Sequence, residues 1–131
     1  YIATKNLLGT SAIKGEVIIY PPNTEAPLHY HVGAEHFQYV LAGSGIAKLD
    51  EKEVILEPGD LIYNFEEEFH SFKNSYHQDF TFVEFFVPGD CKTIWTTPEK
   101  VCTWLPTNSS LSGASPTRFI PKHIHGQNIE I

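Results

Sequence analysis

The stretch His29-Tyr30-His31-Val32-Gly33-Ala34-Glu35-His36, running on through Phe37-Gln38-Tyr39-Val40-Leu41-Ala42-Gly43, decides how this chain is read. Side chains alternate between the two faces of a β-strand, so His29 and His31 project side by side from one face. Two adjacent imidazoles are half of a metal site. Within five residues of His31 come a carboxylate, Glu35, and a third imidazole, His36; another, His70, follows the turn Pro58-Gly59-Asp60. Glu35 and His36 compete for one place, because neighbours on a regular strand face opposite ways. An inward Glu35 carries Phe37, Tyr39 and Leu41 inward with it, which suits an apolar interior. An inward His36 carries Gln38 and Val40, which suits a polar mouth. Periodicity alone leans slightly to Glu35. His29, His31, Glu35, His36 and His70 are therefore the candidate metal ligands.

Outward from this stretch the chain reads as β nearly throughout: short runs of β-branched and aromatic residues, punctuated by Gly, Pro, Asn and Asp. Strands are expected at Gly15 to Tyr20, Leu28 to His31, His36 to Leu41, Leu61 to Tyr63, Phe69 to Lys73 and Phe80 to Val87. Ile46 to Leu49 and Glu53 to Leu56 form a hairpin around Asp50-Glu51-Lys52. Many short strands at this spacing indicate a sandwich or small barrel, and a closed barrel brings ligands from distant strands into one lumen. No helical period is visible in the first ninety residues. Thr97-Pro98-Glu99-Lys100 could open a short helix, Asn108 to Pro116 reads as a loop, and Arg118 to Ile131 is apolar enough to dock. The expected organisation is a barrel core over residues 1–90 with an extension over 91–131 that packs on the barrel or on a partner chain.

At 131 residues, 41% hydrophobic and 13% aromatic, the chain is long enough for one domain with one core. A net charge of −7 without clustered Lys and Arg argues against a nucleic-acid partner. No apolar run approaches a membrane span, and no basic segment followed by an apolar one marks a signal peptide. Cytoplasmic location is the expectation, with Cys91 and Cys102 as free thiols rather than a disulfide. His77 sits in a polar turn and reads as a surface residue. His123 and His125 form a second His-x-His pair without strand signals around it, and read as non-ligands.

Pro27 to Gly43 and Pro58-Gly59-Asp60 followed by His70-Ser71-Phe72-Lys73-Asn74 resemble, in order, the two motifs of the cupin superfamily. The resemblance spans roughly Gly15 to Pro88. It implies an all-β fold, a small cupin-type (double-stranded β-helix or jelly-roll) barrel, with a short, partly helical or irregular C-terminal segment. It also implies one divalent metal in the lumen, held by two His of the first motif, an acid beside them and a His of the second; His29, His31 and His70 match these ligand positions. The acid position does not match cleanly. Six residues separate His36 from Gly43, as in the family, whereas three separate His31 from Glu35; the Gly43 spacing favours His36. In the second motif Phe65-Glu66-Glu67-Glu68-Phe69 replaces the usual Pro- and Gly-containing turn and reads as a solvated turn.

Imidazole-rich sites accept iron, nickel, manganese, zinc or copper. An all-imidazole set is neutral and leaves the ion its full charge for carboxylates or enolates. The function expected is a metal-dependent cupin enzyme on a small organic substrate, with dioxygenation as first choice. The alternative is a lyase or isomerase: His29-Tyr30-His31, Ala34-Glu35 and the chain length resemble the small cupin lyases that cleave dimethylsulfoniopropionate. The tyrosine those lyases carry two residues beyond the acid is Phe37 here. A non-catalytic small-molecule-binding barrel is the third reading. Gln38, Tyr39, Tyr63 and Glu84 are the candidate catalytic or supporting groups. Phe80 to Val87 carries aromatics on both faces, which predicts a homodimer packed on the outer one.

Overall fold

The structure is a computed structural model. It describes residues 1–49 and 51–96 with their side chains, and the backbone of 103–109 and 120–124. A one-turn helix α1 (Lys5–Leu8), capped by the Thr4 side chain, precedes the strands. These are β1 (Lys14–Tyr20), β2 (Thr24–Glu25), β3 (His29–Val32), β4 (Glu35–Ala42), β5 (Gly45–Leu49), β6 (Lys52–Leu56), β7 (Leu61–Asn64), β8 (His70–Asn74), β9 (Phe80–Val87), β10 (Lys92–Trp95), β11 (Thr103–Ser109) and β12 (Ile120–Ile124).

One sheet runs β1-β9-β4-β7 and the other β10-β3-β8-β5-β6, with β2 continuing along β8. All pairings are antiparallel. Every second residue of β9 is buried: Phe80, Phe82, Glu84 and Phe86. Ile18, Val40, Ile62, Phe80 and Phe82 from the first sheet meet Ala26, Ala47, Leu56 and Phe72 from the second in one apolar core. The lumen is graded along the strands. Its apolar end holds these residues; its other end holds the buried polar side chains Glu16, His29, His31, His36, Gln38, Asn64, His70 and Glu84.

Gly43 closes β4 with a left-handed φ of 70°, and a Cβ there would collide with the Asp79 carbonyl. The glycine is a backbone requirement of the turn. The buried Asn74 amide donates to the carbonyls of Tyr20 and Gln78, tying the end of β1 to the turn before β9.

The all-β barrel expected from the sequence is present, and the expected strands in the first ninety residues lie within a residue of their places. Elements that the sequence reading did not place are α1, β2, β10 and the ribbon of β11 and β12. The turn α1 is too short for a period to show. β10 lies in the expected extension and pairs with β3 over Lys92 to Trp95. Within the expected C-terminal segment β11 and β12 form an antiparallel ribbon, and β11 reaches into the expected loop at Asn108. The expected helix start at Thr97, the thiol of Cys102 and the side chains of His123 and His125 lie outside the described residues.

Candidate metal centre

Three strands build the site. His29 and His31 alternate onto the inner face of β3, and His29 lies directly opposite His70 of β8. Nitrogen atoms of His29, His31 and His70 all fall within 4.8 Å of one another. The strand β4 crosses from the other sheet and turns His36 inward, buried to 2% exposure, while Glu35 is exposed. Of the two neighbours it is His36 that faces inward; Glu35 pairs with Val87 at the start of β4 and lies on the outer face, beside Tyr63. An inner face carrying His36, Gln38 and Val40 is also the one that continues into the polar end of the lumen.

The outer nitrogens of the ring are held. His29 Nδ1–H donates to the Pro27 carbonyl and His70 Nδ1–H to the Glu68 carbonyl, both at 2.8 Å. A carbonyl cannot donate back, so the Nε2 lone pair of each ring is left unprotonated. His31 Nδ1 meets the Thr93 hydroxyl oxygen at 3.0 Å. His36 is reversed: its Nε2–H points at the Glu84 carboxylate, 2.7 Å away, so its lone pair is on Nδ1. His31 Nε2 stands 3.2 Å from His70 Nε2, and His36 Nδ1 stands 3.3 Å from the same atom. Two nitrogens bound at about 2.1 Å to one ion stand roughly 3.0–3.4 Å apart for right-angled to tetrahedral arrangements. At that separation the lone pairs of neighbouring imidazoles can converge on one cation. The donor set therefore fits a divalent transition metal, with imidazole as its chemistry.

Electrostatics agree. Burial, followed by the charges of the neighbouring imidazoles, holds His31 well below the ordinary histidine range. Burial and then Lys14 do the same for His36. Burial and then His36 lower His70 to about 3, against the Glu68 carbonyl. Neutral imidazoles are what a metal needs. Aromatic rings wall the site: Phe86 stacks on His36 with centroids 4.1 Å apart, and Trp95 lies 4.4 Å from His29.

The catalytic candidates divide. Gln38 and Glu84 are buried beside His36; the Gln38 amide reaches His36 Nδ1 at 2.7 Å and donates to Asn64 at 3.0 Å. Tyr39 and Tyr63 face away from the lumen, because each is an odd number of residues from an inward side chain of its strand. His77 is exposed.

Several supporting residues went unread in the sequence. The turn Phe65 to Phe69 is no bare solvated turn: Glu66 accepts from Gly33 N–H at 2.6 Å, Glu67 N–H donates to the His31 carbonyl, and Glu68 orients His70. Thr93 and Trp95 arrive on β10, which the alternation Thr93-Ile94-Trp95 after Pro88-Gly89-Asp90 could have signalled. Glu16 was signalled by sharing a strand face with Ile18 and Tyr20.

A small double-stranded β-helix barrel with imidazoles converging from both sheets is thus defined by fold and site together. The sequence profile of the cupin domain matches residues 16–86, more than half of the chain, and the protein belongs to the cupin family. An oxalate-binding protein from Thermotoga maritima is 32% identical over 63 residues, covering 48% of this chain and 52% of that protein. The match spans about half the length of that relative. Among solved structures, one from Thermotoga maritima described as a predicted oxalate decarboxylase has a TM-score of 0.61 at 26% identity, covering 66% of this chain and 75% of the other. A dimethylsulfoniopropionate lyase from Ruegeria pomeroyi also has a TM-score of 0.61, at 21% identity over 69% of this chain and 46% of that one, a likeness of fold. His29, His31 and His70 are positioned in this barrel to bind a metal. Among the described residues no helix is long and apolar enough to cross a membrane.

Proposed function

We propose that the chain is a metal-dependent cupin enzyme that oxygenates a small, carboxylate-bearing organic substrate. In this reading His29, His31 and His70 bind one divalent ion through Nε2, and His36 joins them through Nδ1. The observation that carries it is the convergence of imidazole nitrogens at 3.2 and 3.3 Å. When bound, the ion would polarise a carboxylate and, if redox-active, hold oxygen beside it. The chain's own part is to bind and to exclude water: the imidazoles are uncharged and leave the ion its attraction for an anion, while Phe86 and Trp95 close the sides. The names of the two Thermotoga relatives, both referring to oxalate, support a small carboxylate as ligand.

Oxygenation stands ahead of a lyase reaction because elimination needs a protein base at the substrate. Phe37 occupies the place of the lyases' tyrosine, and Tyr39 and Tyr63 lie on the outer face. Non-catalytic carboxylate binding is the second reading, favoured by the name of the curated relative. Titration of oxalate and related carboxylates into protein loaded with Fe²⁺, with oxygen uptake followed in parallel, separates them. The enzyme reading expects carboxylate binding that chelation abolishes, together with oxygen consumption for at least one substrate. Binding without oxygen consumption across the panel, or carboxylate binding unaffected by chelation, would leave the binder; no carboxylate binding at all would sink both.

A further inference from the structure

We propose that Glu84 is a positioning residue of the metal centre, which fixes the His36 ring so that Nδ1, and not Nε2, is presented to the other imidazoles. The inference rests on the reading of His36 as a ligand and says what makes it one. His36 differs from the other three histidines in which nitrogen is turned inward. The rings of His29 and His70 are fixed by the backbone carbonyls of Pro27 and Glu68, two residues before them and just outside their strands. His36 is held by side chains instead: the Gln38 amide nitrogen lies 2.7 Å from its Nδ1 and 3.0 Å from its Nε2, and Nε2 reaches the Glu84 carboxylate, 48 residues away in sequence, at 2.7 Å. Both side chains are buried, His36 at 2% and Glu84 at 10% side-chain exposure.

Strand register explains the contact. On β9 Phe86 lies opposite His36, and Glu84 lies opposite Gln38, two residues further along the same inner face. Phe86 stacks flat on the imidazole at an interplanar angle of 9°, which leaves the ring two orientations related by a half-turn about Cβ–Cγ that exchanges each nitrogen with a ring carbon. By holding Nε2, Glu84 selects the orientation that turns Nδ1 toward the other imidazoles. Glu16 lies directly opposite Glu84 on β1, so Glu16, Glu84 and His36 line up across three adjacent strands. A carboxylate on the outer nitrogen of a metal-bound imidazole orients the ring and strengthens it as a donor.

The test compares Glu84→Leu, Glu84→Gln, His36→Ala and the double variant His36→Ala/Glu84→Leu. Co²⁺ affinity is measured by competition with a chromophoric chelator, and the visible spectrum of bound Co²⁺ is recorded. Glu84→Leu removes the acceptor at similar volume and is expected to weaken Co²⁺ binding about 10–100-fold and to alter the spectrum. Glu84→Gln keeps an oxygen that can accept from His36 Nε2–H, and should recover most of the affinity. The double variant should bind no more weakly than His36→Ala, because Glu84 acts through His36. In the unaltered protein, long-range ¹H–¹⁵N spectra should find His36 protonated on Nε2 and His70 on Nδ1, which needs no variant to fold. Wild-type affinity and spectrum in Glu84→Leu, multiplied losses in the double variant, or an Nδ1–H tautomer for His36 would each overturn the proposal. If His36→Ala itself changes neither affinity nor spectrum, the ligand reading of His36 fails and takes this one with it. If only Glu84→Leu is silent, the ligand reading survives alone.

Discussion

A single step along β4 separates Glu35 from His36, and that step decides the charge of the site. The spacing to Gly43 chose His36 and the apolar alternation chose Glu35. The alternation misled because the outer face of this sheet is itself apolar: Val17, Ile19, Tyr39, Leu41, Leu61 and Tyr63 are all substantially exposed. Hydrophobic pattern cannot tell inside from outside when both faces are greasy. His29 and His31 were legible because alternation on one strand places them on one face, and His70 because the second motif resembles that of the family. Their supports were not, because carbonyls and a strand late in the chain have no local signal. At this scale two outcomes follow. His31→Ala or His70→Ala should lower divalent-metal affinity at least 100-fold in equilibrium dialysis, whereas Glu35→Gln should lower it less than threefold, roughly the contrast between a ligand and an exposed neighbour. The metal-free protein should also lose stability in acid. His31, His36 and His70 are held below the histidine range in the folded state, so the unfolded chain binds more protons once the pH drops below about 6.5. Each such group costs up to about 1.4 kcal/mol per pH unit below that point, until its folded pKa is reached. Denaturant melts between pH 7.5 and 4.5 should shift to lower midpoints as pH falls, and His70→Phe should flatten the slope.

Among the elements, β10 and the turn at Phe65 to Phe69 matter most for function and were read least well. β10 brings Thr93 to His31 and Trp95 to His29 while lying beyond both motifs. The turn looked like three solvated acids, yet its backbone and one carboxylate brace β3 and β8. Composition describes what a turn shows to water and is silent on where its carbonyls point. Thr93→Val, which keeps the β-branched shape, should weaken metal binding by roughly tenfold with a change of less than about 1 kcal/mol in metal-free stability. Gly43→Ala should do the reverse. Its cost of roughly 1–3 kcal/mol, from the left-handed backbone and the Asp79 carbonyl, should appear in the melting curve with the metal centre intact.

On the scale of the whole molecule, the barrel was legible because short alternating strands and two ordered motifs agree with each other. The chain continues past the barrel into the ribbon of β11 and β12, which the Ser-, Gly- and Pro-rich composition around it concealed. The apolar outer face of the sheet β1-β9-β4-β7 is the surface on which we propose that two copies pair. Light scattering should give twice the chain mass, and Leu41→Glu should halve it; a monomer in the unaltered chain would end that proposal. The account as a whole stands on one ion at the polar end of the lumen. Crystals of the protein grown with Co²⁺ and measured on both sides of the cobalt absorption edge test it most directly. The account predicts one anomalous peak inside the barrel, about 2.1 Å from Nε2 of His29, His31 and His70. Its contradiction would be a barrel without such a peak among these imidazoles, or cobalt bound only at the surface.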